Sequence, residues 1–331
     1  MTMKTLTKII VVTVLVVGLA VPAHSDVKKV GQTGLQFLKV DMGARAAAVG
    51  GAYTMIGNDA NALFYNPAGT AEMDKSLDFT STMTQWIADI NYSGVGVVKN
   101  LGTFGAVGLS AVYSDYGEIQ GTRVASTQQG FVETGNVDVG AYAVGISYAR
   151  SLTARFSIGG QIKYAYQHLG SNVLTEGGES VKNEVSGLAY DFGTIFYTGF
   201  KSHRIGMSIR NFSAQFEYEE TPFDLPLTFN IGTAMDVLDI FMPDHNNPLI
   251  LSVDAVHPRD YTERIHVGGE YWWNDLIAIR GGYKFNYDEE SFTAGIGIKP
   301  NIMGVDMKID YSYSAFDLFE PVSRFSFGVA F

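Results

Sequence analysis

The chain has 331 residues, no Cys, 37 Gly, 13% aromatic residues and a formal net charge of −11. Without Cys there are no disulfide staples, thiolate metal sites, Cys nucleophile or lipid-anchored amino-terminus. The acidic balance argues against nucleic acid as a partner. Length alone would allow several soluble domains, but no Pro/Ser-rich linker divides the chain and turn signals stay regular to the end.

Residues 1–25 read as a secretory leader. Lys4 and Lys8 give a positive start. The apolar run 9–21 is shorter than the roughly 20 residues a spanning helix needs. Ala23, His24 and Ser25 present small residues for a peptidase, so cleavage is expected before Asp26. Removing this segment takes away two Lys and no acid, which makes the remainder more acidic. No other apolar run approaches a spanning length, so a membrane role would require a barrel.

Residues 26–75 form a separate region, expected to be a plug. They are rich in Ala and Gly and lack alternation. Asn58 or Asp59 is placed to cap a short helix over 60–64. Pro67 removes a donor and biases Asn66 away from helix, so that helix should end near Tyr65. The segment is too apolar for a free tail and too small-sided for a strand. It should therefore be buried.

Residues 76–331 read as strands of roughly nine to thirteen residues, the length a tilted spanning strand needs. The candidates are 77–87, 92–99, 103–113, 139–150, 156–167, 185–197, 204–211, 225–237, 249–256, 264–273, 276–287, 292–299, 305–313 and 324–331. That even number suits a barrel with both termini on the periplasmic side. Alternation is plain in 305–313: Val305, Met307, Ile309, Tyr311 and Tyr313 oppose Asp306, Lys308, Asp310 and Ser312. Arg264, His266 and Glu270 share an inner face, as do Arg280 and Lys284. Charges of both signs on that face would be intolerable in a soluble core unless all were paired. The last strand places Phe325, Phe327, Val329 and Phe331 outward and ends at an aromatic carboxyl terminus, as a closing strand in lipid requires.

Connections alternate in length, with short even ones (100–102, 151–155, 198–203, 274–275, 300–304) and long odd ones at 114–138 and 168–184. Residues 238–248 break the rule. Tyr113, Tyr166, Tyr271, Trp273, Tyr287, Tyr311 and Tyr313 lie near strand ends as a girdle. The expected fold is an all-β, 14-stranded transmembrane barrel with a small helical plug in its lumen.

Four blocks, Phe37–Val40, Gly43–Ala46, Asn58–Ala62 and Tyr65–Gly69, resemble the opening of PorV/PorQ-type outer-membrane proteins, within the FadL-like class of fatty-acid transporters. The resemblance implies fourteen strands, an amino-terminal hatch, and a bacterial outer-membrane location in contact with lipid. Asp41, Arg45, Asn58, Asp59, Asn66 and Pro67 are read as plug-seating residues, Arg45 pairing with a wall carboxylate. Arg264, His266, Glu270, Arg280 and Lys284 are read as a lumen network. The remaining His residues are scattered without zinc-ligand spacing, and neither metal nor cofactor is expected.

Four functions compete. A type IX secretion component would dock exported proteins at the cell surface, its long outer loops carrying recognition, with secretion or cargo proteins as partners. A transporter would take a hydrophobic small molecule through a wall gap, where strand glycines such as Gly94, Gly96, Gly193 and Gly206 allow a kink. An open porin conflicts with the plug. An enzyme is disfavoured because no Ser/His/Asp arrangement stands out. The first reading is preferred, with the transporter as the alternative.

Overall fold

The computed structural model describes residues 31–173, 180–218 and 221–331. The leader lies outside the described residues. Fourteen long antiparallel strands form the wall. They are β1 (Leu77–Gln85), β2 (Asn91–Asn100), β3 (Ala106–Asp115), β4 (Gly140–Thr153), β5 (Phe156–Val173), β6 (Ser180–Tyr197), β7 (Arg204–Phe212), β8 (Thr228–Asp236), β9 (Leu249–Pro258), β10 (Arg264–Trp273), β11 (Ile277–Phe285), β12 (Glu290–Ile298), β13 (Val305–Phe316) and β14 (Val322–Ala330). Each pairs with its neighbour in sequence, and β14 returns to β1 with Asp78 opposite Ala330 and Gln85 opposite Ser323. The closed sheet has no free edge, the only kind of sheet that can sit in hydrocarbon.

The period-two pattern becomes two belts once register is known. Ile279, Ile296, Tyr311, Phe325 and Met83 stand opposite one another across five strands, all exposed on the outer surface. One residue along runs the inner row Glu270, Arg280, Gly295, Ser312, Arg324 and Thr84. Its side-chain-bearing members are all buried. An exposed apolar belt with buried charge behind it inverts a soluble fold, and fits a wall with lipid outside.

Three expectations need correction. The stretch 276–287 stops as strand at Phe285, because Asn286 takes a left-handed backbone (φ 63°). That turn swings Tyr287 inward to His266, so it is not a girdle residue. The stretch 168–184 is largely hairpin, not loop: Ser171 faces Lys182 and Val173 faces Ser180. The stretch 225–237 begins as strand only at Thr228, and Leu225 is buried in the interior. The stretch 238–248 is a connection as expected, and it carries a one-turn helix, α2 (Leu238–Phe241).

The feet of β1 and β14 meet at one mouth, where the Ser76 amide donates to the Phe331 carbonyl (2.8 Å). The short even connections lie at this end, which makes it periplasmic. The described start of the chain is at the opposite mouth. There the Gly34 amide donates to the Asp224 carbonyl (3.1 Å) and Thr33 Oγ1 donates to Asp260 (2.8 Å). Residue 31, where the described chain starts, and Phe331 thus lie at opposite mouths. Residues 31–75 run down through the lumen before the wall begins.

Candidate functional site

Inside the wall, residues 31–75 fold as short helical turns: Gln36–Lys39, α1 (Ala44–Ala48), Ala60–Phe64 and Pro67–Glu72. Asp59 caps the third, accepting from the Asn61 amide (3.0 Å), and that turn ends at Tyr65. Such irregular backbone leaves many polar groups without internal partners. The wall supplies partners. Thr293 Oγ1 donates to the Ala48 carbonyl (2.9 Å), Ser252 Oγ to Ala52 (2.7 Å), Arg210 Nη1 to Phe64 (2.7 Å), and Arg324 Nε to Asp41 (3.1 Å). Ser326 Oγ accepts from the Ala44 amide (2.8 Å).

One chain of charges crosses from wall to segment and back. Asp310 meets Arg280 (2.6 Å), and Arg280 meets Glu270 (2.6 Å), with which it is directly paired across β10 and β11. Glu270 also takes a bidentate grip from Arg45, at 2.8 and 2.9 Å. Arg45 reaches on to Asp59 (3.3 Å). Lys308 joins Asp59 (3.2 Å) to Asp78 (2.6 Å). Four carboxylates and three cations alternate, so each buried charge has an opposite neighbour. Asn58 only brushes this network, its Oδ1 at 3.4 Å from Arg45. A second tie joins Lys284 to Asp41 (2.8 Å) and to Glu290.

Asn66 and Pro67 sit across the lumen from these charges. The Asn66 side chain accepts from the Ala68 amide (3.1 Å) and donates to the carbonyls of Thr54 (2.9 Å) and Thr194 (3.2 Å). Asn66 therefore caps its own turn and clamps the segment to β6. Gly193 makes the approach possible: a Cβ there would lie 1.8 Å from Asn66 Oδ1. Gly94, Gly96 and Gly206 likewise leave room for Met42, Ala60 and Met55 of the segment. These glycines admit close packing, and the ladders through β1, β2, β3 and β4 run without a register shift. They open no gap.

Above the charged half, Leu35, Phe37, Met42, Tyr92, Val185 and Phe216 form an apolar cluster. Phe216 comes from an outer hairpin, Phe216–Tyr218 with Thr221–Phe223, that folds into the mouth. A cavity of about 320 Å³ remains beside it, lined by Lys39, Arg210, Arg264, His266 and Tyr287 among others. Arg264 lies between the rings of Tyr261 and Tyr287, at 4.1 and 3.9 Å from their centroids. It is apart from the Glu270 network, although it shares a strand face with that residue. His266 Nε2 bonds the Tyr287 hydroxyl (2.8 Å).

At the rim, Asp260 gathers Thr33, Gln36 and Lys39 (2.8 Å). Burial pushes its carboxyl up, but Lys39 and the hydrogen bonds from Thr33 and Gln36 outweigh this and hold it below the usual range. Sequence reasoning missed Lys39, Asp78, Asp260 and Arg324 as partners. Inner-face alternation marked Lys308 and Asp310, but pairing depends on register. Sequence spacing likewise gave no sign that His245 comes together with Asp236 and Asp239.

A sequence profile described as "Type IX secretion system protein PorV" matches residues 23–256, more than half of the chain. The chain belongs to the PorV family. No curated protein matches it by sequence. Among solved structures, it is similar in fold to the "CymD monoaromatic hydrocarbon channel" (TM-score 0.56, 10% identity, 90% of this chain and 99% of that one). It is also similar to a Pseudomonas aeruginosa FadL homologue (0.53, 11%, 88% and 98%) and to the Pseudomonas putida toluene transporter TodX (0.56, 10%, 86% and 96%). This PorV-family chain is an outer-membrane β-barrel of FadL-like architecture.

Proposed function

We propose that this PorV-family barrel is a type IX secretion-associated component that docks exported proteins at the cell surface. The observation that carries the reading is the outer mouth. A hairpin of Ile119–Val124 and Phe131–Val137 stands outside the barrel sheet, and Val137 packs on Gly170 of the extended β5–β6 hairpin. Together they present Val124 (90% exposed), Phe131 and Leu169 to solvent. Exposed apolar side chains projecting above the barrel suit a protein partner. Below them the lumen is occupied and tied by charges, and the sheet closes on itself. In this reading the chain is not an enzyme, residues 1–25 serve as a cleaved export signal, and Asp41, Arg45, Asp59, Asn66 and Pro67 keep the segment seated.

A photo-crosslinking residue at Phe131 tests this in cells that export cargo through this system. It should capture an exported protein, while the same probe at Ile302, on the periplasmic side, should not. Capture of cargo at neither position, with surface cargo unchanged on deletion of residues 119–137, would remove the reading.

The 320 Å³ cavity favours a second reading, transport of long-chain fatty acids or other hydrophobic small molecules. That volume is in the range of small-molecule sites, and Lys39, Arg210 and Arg264 suit a carboxylate head. Native mass spectrometry of the gently purified barrel decides between the two: a co-purifying fatty acid supports transport, and a ligand-free protein supports docking.

A further inference from the structure

Residues 237–248 form the long even connection at the periplasmic end, between β8 and β9. Asp236 closes β8, and its Oδ1 accepts the amides of Leu238 (3.1 Å) and Leu249 (3.0 Å). That grip spans both feet of the loop and fixes the carboxylate. Its other oxygen, Oδ2, lies 3.2 Å from His245 Nε2, and Asp239 Oδ1 lies 3.7 Å from the same nitrogen. All three donor atoms are within 4.8 Å of one another.

The His245 ring supplies a second, independent observation. Its side chain is 11% exposed, and among the described residues neither ring nitrogen has a hydrogen-bond partner, although Nε2 approaches both carboxylates. A buried imidazole normally has its nitrogens satisfied. Here Nε2 points between two carboxylate oxygens at separations too long, or too poorly aligned, for a good hydrogen bond. A tetrahedral ion with bonds of about 2.0–2.1 Å would hold its donors roughly 3.3 Å apart. The two spacings from His245 Nε2, 3.2 and 3.7 Å, bracket that value.

We propose that Asp236, Asp239 and His245 bind one divalent cation of the zinc type, with water completing the shell. An imidazole beside two carboxylates suits zinc and its transition-metal neighbours; calcium and magnesium take oxygen donors. The ion ties α2 and the return of the loop to the end of β8. Asp236 is in turn held by its amide donating to Ser202 Oγ (3.0 Å) in the preceding even connection. The cation therefore stiffens two neighbouring connections on the periplasmic surface, independently of what the outer mouth binds.

The test uses the full barrel in detergent micelles, stripped with EDTA and titrated with zinc chloride. Bound metal is read by inductively coupled plasma mass spectrometry and loop opening by hydrogen exchange. The expected result is one zinc per chain. With zinc at ten times its Kd, exchange at residues 238–248 should slow by about tenfold. His245→Ala and Asp239→Asn should each lose both effects, while His257→Ala, at the outer rim, should keep both. Heat-modifiable gel mobility verifies that each variant is a folded barrel. Failure of the parent chain to bind zinc, or zinc binding that survives both ligand variants, overturns the proposal.

Discussion

Arg45→Ala removes the one side chain that joins two halves of the charge network. Arg45 grips Glu270 through two nitrogens, and Glu270 is fully buried. Breaking a buried pair by deleting one partner costs about 3–5 kcal/mol. Arg280 still holds Glu270 at 2.6 Å, so the loss should fall near the low end, about 3 kcal/mol. Local opening of residues 44–56 would then rise on the order of 100-fold. Hydrogen exchange on the barrel in micelles should show that rise, confined to the segment, and planar bilayers should show added ion conductance. Arg45→Lys keeps the charge but not the bidentate grip, so it should fall between. Exchange and conductance both unchanged in Arg45→Ala would refute the argument that this pair seats the segment.

Other outcomes follow from particular contacts. Gly193→Ala puts a Cβ 1.8 Å from Asn66 Oδ1, so it should displace the clamp at a cost of about 1–3 kcal/mol and expose the segment to limited proteolysis, leaving the wall intact. The Asp260 carboxyl is lowered in the folded state, so its tie to Lys39 stabilises above the unfolded pKa of about 3.9 and is lost as pH falls through the lower folded value. Intrinsic-rate-corrected exchange protection at residues 33–39 should thus be flat from neutral pH down to about pH 4 and decline below it, and Asp260→Asn should abolish that step. On the outer belt, Ile296→Arg should cost about 2–4 kcal/mol in urea unfolding from lipid vesicles. Ser312→Ala, on the inner row where the hydroxyl has no partner among the described residues, should be nearly neutral.

Alternation, length and the missing spanning helix are local properties, and they were enough to specify a closed, fourteen-stranded wall with charge inside. Lipid outside demands an apolar outer face, and a two-residue period can be read without knowing any partner strand. The cap at Asp59 and the stop at Tyr65 were legible for the same reason, since capping acts over two or three residues. Pairing was not. Glu270 faces Arg280 and Arg45 because of register and because a separate segment runs through the lumen, and neither follows from a strand's own sequence. The inward turn of Tyr287 depends on one left-handed residue, Asn286. The meeting of His245 with Asp236 and Asp239 depends on how a loop folds back across the feet of β8 and β9. What the sequence determined by itself was which faces meet lipid and which must be filled. Tertiary structure alone decided which wall residue holds which part of the plug and which charge answers which, because Coulomb and packing forces act through space between residues that are hundreds of positions apart.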